Sequence, residues 1–344
     1  MKKNLFLIPV AALAFAACTN ETTEYVGDTS PTAKEIAFSP LAQPNTRAAV
    51  DGTGFPTTLD MKVAAYQVEA TGGSAGVYFD ATTFKYQYAG GASNSTANAS
   101  YWGAETNAKY WPLTPAYINF LAIANANADN STDVTWGTNK ADQVTIVMAD
   151  NSSAQRDLMY AIGNGEVTQS GNALTFPTKV DMQFHHAQAW IDFKVKAKTD
   201  VETAITVNSI TLTGAKYAGT YTVTHTNYNA KSSQSVAGAW TALGDAKNVA
   251  VPGWSATALT TSLVTVGNGL MIVPDDAATG DFTSFTINYT FNGKTYDYTY
   301  TPASTNVDQK KHYIYEITFQ LHEIFINPSV EDWADQTATG VTIY

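Results

Sequence analysis

Arginine is nearly missing from this 344-residue sequence, where only Arg47 and Arg156 occur. Cysteine is rarer still. Cys18 stands alone, so disulfides and Cys-ligated metal centres are excluded after that position, and core packing has to hold the fold. Long apolar runs are absent too: beyond the first residues none approaches the roughly 18 that mark a spanning helix. Charge is sparse and one-sided, with 14% charged residues and a net of -11. A nucleic acid or an anionic membrane surface calls for a basic patch, which this balance argues against. Helical periodicity is also lacking, since no convincing helical stretch exceeds about ten residues.

What is present begins with an address. Lys2 and Lys3 precede an apolar stretch from Leu5 to Ala17, which is short for a bilayer span. The small residues Ala16 and Ala17 then lead into Cys18. This order fits a bacterial lipoprotein signal, in which the cysteine becomes the lipidated first residue. An ordinary secretory signal cut nearby is the alternative, and both imply export. At roughly 100 to 200 residues per domain, the exported part predicts two domains, each large enough for an ordinary core.

Short strand patterns spaced by turn residues fill the chain. EIAFSPL carries Ile36 and Phe38 in alternation with polar or small neighbours. MKVAAYQV (61–68) reads as a strand, VYFDATTFKYQY (77–88) as a hairpin, and VTIVMA (144–149) as a strand. KYWPLTPAYINFLAIA (109–124) reads as a strand, a proline-broken edge and a buried strand, and NSSAQRDLMYAIGNG as a polar loop around a short apolar piece. The pattern restarts near residue 180. In AWIDFKVKA, Ile191, Phe193 and Val195 alternate with Asp192, Lys194 and Lys196, as in a half-buried antiparallel strand. FTINYTFNGKTYDYTY (285–300) alternates into and out of Asn292-Gly293, the signature of a two-residue hairpin. This is an all-β chain of sandwich type. The predicted divisions are a signal peptide over 1–18, a tether and first strand over 19–47, and two domains over 48–179 and 180–344.

Chemistry finds little footing. His185 and His186 are adjacent, and on a strand they point to opposite faces, which makes a poor chelate; one packed and one solvated histidine is expected. Asp129, Asn130 and Asp133 superficially suggest a calcium loop but lack the glycine and terminal glutamate of an EF-hand. Asp275-Asp276 and Glu331-Asp332 are the closest carboxylate pairs, both in turn-like contexts. No phosphate-binding glycine loop or helical His pair occurs. Trp111 and Trp190 lie in strand patterns and read as core. Trp240 and Trp254 lie in small-residue loops, as a glycan platform or as loop anchors. No enzyme, cofactor or metal is expected.

Several stretches together resemble the Bacteroidales fimbrillin family, the subunits and relatives of type V pili. They are the Cys18 signal, EIAFSP…NTRA, KYWPLTPAYINFLAI, RDLMYA, QFHHAQAWIDFKV, LMIVP, KKHYIYEITFQL and INPSVEDW. Their order over nearly the whole chain carries the likeness, with residues 215–265 the weakest stretch. The resemblance implies two tandem transthyretin-like β-sandwich domains and passage to the outer membrane on a transient lipid anchor at Cys18. It further implies cleavage between Arg47 and Ala48 by an arginine-specific protease. The cut frees a first strand whose core plugs would be Ile36 and Phe38. A C-terminal strand of another subunit then fills the groove, with Val341 and Ile343 in GVTIY or the 323–330 segment as candidate donors. Partners are thus other pilus subunits, the protease and the outer membrane, with no nucleic acid. Such head-to-tail contacts build open filaments. Arg156, before the apolar DLMYA, reads as structural. Two alternatives remain: an anchor or accessory subunit that keeps its lipid, and a monomeric glycan-binding lipoprotein.

Overall fold

The computed structural model describes residues 33–42, 55, 59–70, 74–87, 101–125, 133–201, 204–275, 280–320 and 323–332. Cys18, Arg47, Ala48, Asp129, Asn130, Asp276, Val341 and Ile343 lie outside these residues, which all belong to one compact unit, Ala33–Tyr344. Among them there is no helix.

The N-terminal half runs β1 (Phe38–Ala42), β2 (Met61–Ala70), β3 (Gly76–Gln87), β4 (Tyr101–Ala104), β5 (Ala116–Ala124), β6 (Val134–Trp136), β7 (Gln143–Met148), β8 (Met159–Ser170), β9 (Ala173–Thr175) and β10 (Val180–His186). The rest runs β11 (Ala189–Ala197), β12 (Ile205–Ala215), β13 (Gly219–Thr226), β14 (Ser235–Thr241), β15 (Lys247–Ala250), β16 (Thr257–Ala258), β17 (Val264–Thr265), β18 (Leu270–Ile272), β19 (Ser284–Phe291), β20 (Lys294–Tyr300), β21 (Lys311–Gln320) and β22 (Glu323–Asp332).

The first sheet has the order β10-β1-β4-β3-β2-β5-β8-β9, and β10 also pairs with β8. Without the appended β9, the strands therefore form a closed ring, which removes the sheet's free edges. Its interior holds Phe38, Phe79, Phe84, Trp102, Trp111, Phe120 and Phe184. Alternation along β5 explains how one strand serves two cores. Ile118, Phe120, Ala122 and Ala124 point into the ring, while Leu121 and Ile123 join an outer cluster with Val144, Ile146, Tyr160, Tyr221 and Val223. That outer cluster lies beneath a four-stranded sheet ordered β14-β13-β7-β6. Two glycines on β8 allow the interior to fill. A Cβ on Gly165 would stand 2.3 Å from the Trp111 ring, and one on Gly163 would meet Met182 and Val180.

The C-terminal half is a two-layer arrangement. One sheet runs β17-β11-β21-β22 with β18 also on β11, the other β15-β12-β19-β20 with β16 also on β12. Phe193, Phe285, Ile287, Tyr315, Ile317 and Phe319 fill the space between them. The all-β, layered architecture expected from the sequence is present. The Asn292-Gly293 hairpin is formed as read, with φ of 50° and 79°.

Several local readings need correction. Residues 77–87 form the single strand β3, whose pairing to β2 shifts register between Val63 and Tyr66 where a hairpin turn was expected. Residues 151–165 are more than a polar loop around a short apolar piece: from Met159 they form the start of β8, which pairs with β5. β11 is not purely antiparallel: it runs parallel to β21 and is buried on both faces near its start. The sheets also divide the chain later than residue 180. β10 closes the first ring, and β13 pairs with β7, so the hairpin at 219–241 covers the N-terminal half.

Candidate functional site

β1 is a short strand seated in a deep slot. Ile36 and Phe38 are both 0% exposed. The Phe38 ring meets Phe84 and Phe120 edge to face, with centroids 4.8 and 5.1 Å away. Burying two such side chains is worth about 1.5–3 kcal/mol each. On one side β1 runs parallel to β10, from Phe38 opposite Val180 to Ala42 opposite Phe184. On the other side Phe38 faces Trp102 of β4. Before the strand proper, the Ile36 amide donates to the Lys109 carbonyl at 2.7 Å, and the Trp111 amide donates to Lys34 at 2.8 Å. The Val180 amide donates to Ala37 at 2.9 Å.

Pro40 sits inside this strand and is buried. It has no amide proton, so it donates to neither neighbour. Side-chain burial thus contributes a larger share of the hold on β1 than in an ordinary interior strand. The slot is apolar. At its rim the Lys109 ammonium lies 5.7 Å from the Phe79 ring centroid, and the Tyr78 hydroxyl donates to the Tyr110 carbonyl at 2.6 Å. Burial raises the Tyr78 pKa above its ordinary value of 10.0, so the hydroxyl stays a donor further into alkaline pH.

In sequence, Arg47 follows the last residue of β1, Ala42, by five positions. The segment 43–54 is therefore the covalent link between β1 and Phe55, whose ring packs on Trp102 and Phe184 inside the same ring of strands. A cut after Arg47 would leave β1 attached to the barrel by non-covalent contacts alone.

The other candidates have structural roles in the fold. His186 is buried, with Nδ1 2.9 and 3.0 Å from the two carboxylate oxygens of Asp157. His185 is half-buried beside Tyr160, and burial, with Lys310 and His186 adding, pushes its pKa down to about 4. Among the described residues no group of three or more His, Cys, Asp or Glu side chains is placed to hold a metal. Asp275 pairs with Lys216, and Glu331 bonds His312. Trp111 and Trp190 are core. Trp240 and Trp254 are anchors: their indole N–H groups donate to Ala187 at 2.6 Å and to Val207 at 3.0 Å. The Arg156 amide and carbonyl bond the Asn151 side chain, which shapes the turn before β8.

Two constellations escaped the sequence reading. His312 stacks on Trp190 at 4.0 Å and lies between Asp192 and Glu331. Asn119, fully buried, grips the loop between β13 and β14. The visible signal for the second was one asparagine in an otherwise apolar strand, YINFLAIA.

A family model described as fimbrillin-like matches residues 46–333. The chain belongs to the fimbrillin-like family. It is accordingly a structural, non-enzymatic protein of pilus type that works by association with other pilus subunits at the cell surface. No curated protein sequence matches it significantly. Among solved structures, a candidate cell adhesion protein from Bacteroides ovatus is 13% identical, with 89% of this chain and 100% of that chain covered and a TM-score of 0.51. This is a likeness of fold. A fimbrial protein from Bacteroides vulgatus gives 15% identity, 86% and 99% coverage and a TM-score of 0.46. The tip fimbrial protein Mfa3 from Porphyromonas gingivalis, with C-terminal truncation, gives 15%, 87% and 100%, and 0.42. The match of this fimbrillin-like chain to the family model runs through 215–265, the stretch in which sequence alone offered no likeness.

Proposed function

We propose that the chain is a polymerising pilus subunit whose slot for another subunit is occupied by its own β1 until a protease removes it. In this reading the precursor is exported as a lipoprotein anchored through Cys18 in the outer membrane. An arginine-specific protease cuts between Arg47 and Ala48. The released piece carries away both the lipid and the plugs Ile36 and Phe38, and the division into a propeptide over 19–47 and two domains follows that cut.

The observation that carries the reading is the seating of Phe38. It is wholly buried at the centre of a ring whose neighbouring strands, β10 and β4, would become free edges on its loss. Unpaired edges beside an uncovered apolar face are a template for an added strand. A C-terminal strand of another subunit, through Val341 and Ile343 or through 323–330, supplies alternating apolar residues for it. The C-terminal assignment weighs against 323–330, because β22 pairs along its full length with β21 of its own sheet. The anchoring of Trp240 and Trp254 leaves the glycan-platform alternative without its two tryptophans.

The test is treatment of the purified precursor with an arginine-specific protease. A new N-terminus at Ala48 and SDS-resistant, heat-labile oligomers are expected. A chain cut at Arg47 that stays monomeric, even with an added C-terminal peptide, would overturn the reading.

A further inference from the structure

The ring of strands has one wall that is held much more firmly than the other, and the fastening is a loop. Counting from β1 through β4 and β3 reaches β2 in three steps; counting through β10 and β8 reaches β5 in three. β2 and β5 therefore stand opposite β1. The turn between β13 and β14, residues 227–234, lies on this far wall and bonds to several of its strands.

From β5, the Asn119 amide donates to the carbonyls of Tyr228 at 2.6 Å and Ala230 at 2.9 Å, and its own oxygen accepts from Gln234 at 2.7 Å. The Tyr117 hydroxyl donates to the Lys231 carbonyl at 3.1 Å. The Lys231 ammonium bridges Glu69 of β2 at 3.2 Å and Glu166 of β8 at 3.3 Å, and lies over the Tyr117 ring. Tyr66 of β2 packs edge-on against Tyr228, 4.9 Å between centroids. Asn139, beyond the ring, donates to the Tyr228 hydroxyl at 2.8 Å.

Burial follows the same division. β5 is buried on both faces, because the β6–β7–β13–β14 sheet covers its outside. β3 exposes its outward residues, Val77 among them at 45%. Loss of β1 removes Ile36 and Phe38 from the inner core, where Phe38 touches Phe120 of β5, but the thick wall keeps its outer core and its clasp.

We propose that residues 227–234 are a splint. They tie β2, β5 and β8 together so that emptying the β1 position leaves a shaped slot and the ring does not collapse around it. The proposal rests on the reading that β1 is the exchanged strand. Asn119, Tyr117 and Lys231 are then positioning residues for strand uptake, although none of them touches β1. A stabilising contact elsewhere would raise overall stability equally whether β1 is firm or loose. A splint matters chiefly when β1 is loose, and that difference is measurable as non-additivity.

The experiment compares four full-length chains by hydrogen exchange: the parent, Phe38→Ala, Lys231→Ala with Tyr117→Phe, and all three substitutions together. Asn119→Ala serves as a stronger second clasp variant. With the clasp intact, Phe38→Ala should speed exchange by about tenfold in 101–104 and 180–186 while 116–124 changes by less than about threefold. The clasp variant alone should change 116–124 by less than about threefold, and the combined chain by more than about tenfold, beyond the product of the single effects. Spread of exchange into 116–124 in Phe38→Ala alone, or purely multiplicative effects in the combined chain, would overturn the splint. The comparison uses neither protease nor second subunit, so it bears on the splint alone; failure of the exchange reading shows in the cleavage experiment.

Discussion

Phe38 on the first strand meets Phe84 of β3 edge to face at 4.8 Å, two strands away across β4. The contact joins the segment before Arg47 to the barrel that remains after it. Truncating the ring measures that joint. Phe38→Ala should cost about 3–5 kcal/mol, since it deletes a fully buried aromatic and leaves a cavity. Denaturant unfolding of the uncut chain checks this. In the cut chain the same substitution should speed loss of the N-terminal fragment on a sizing column.

The clip between β21 and β22 predicts a pH signature. Burial opposes charge on His312, but the Asp192 carboxylate 3.8 Å away and the hydrogen bond to Glu331 outweigh burial and raise its pKa above 6.5. The bond from His312 in turn lowers the Glu331 pKa below 4.5, with Lys194 contributing the same sign. A raised histidine stabilises fully below 6.5, and its contribution is lost as pH rises through the folded value. A lowered glutamate stabilises above 4.5 and loses its contribution as pH falls through its folded value. The advantage of the parent over Glu331→Gln in urea midpoint should therefore be largest between 4.5 and 6.5 and shrink on both sides. His185 titrates with the opposite sign, its depressed value destabilising the fold as pH falls below 6.5. Taking the difference between the two chains removes its contribution. A difference that stays flat with pH would contradict the clip.

Gly165 should be intolerant of a side chain. A methyl there would press on the Trp111 ring from 2.3 Å, in an interior with no slack. Gly165→Ala should destabilise by about 1–3 kcal/mol, and Trp111→Phe in the same chain should recover part of the loss. Thermal melts of the single and double variants decide it.

Much of this was legible in the sequence because period-two alternation and turn residues are local signals. The Asn292-Gly293 hairpin and the burial of Ile36, Phe38, Trp111 and Trp190 were all readable from neighbours in the chain. Ring closure was not, because the β1–β10 pairing joins residues more than a hundred positions apart in parallel register, and the β10–β8 pairing spans 25 positions or more; neither leaves a mark on a short window. β3 was misread as a hairpin because its bulged register breaks the alternation as a turn does. Trp240 looked like a loop residue because its partner, the Ala187 carbonyl, is 53 positions away. His312 carried no signal at all: its setting comes from Trp190, Asp192 and Glu331, on two other strands.

Locking β1 in place tests the central claim most directly. Ser39 stands opposite Asp181 in the β1–β10 register, so Ser39→Cys with Asp181→Cys, in a chain carrying Cys18→Ala, can tie the strand to its neighbour by a disulfide. Both redox forms should be cut after Arg47. Only the reduced form should lose β1 and give an SDS-resistant ladder, and adding reductant to the oxidised, cut form should start the ladder. Equal polymerisation of the locked and unlocked chains would contradict the account, because assembly would then proceed with β1 still in its slot.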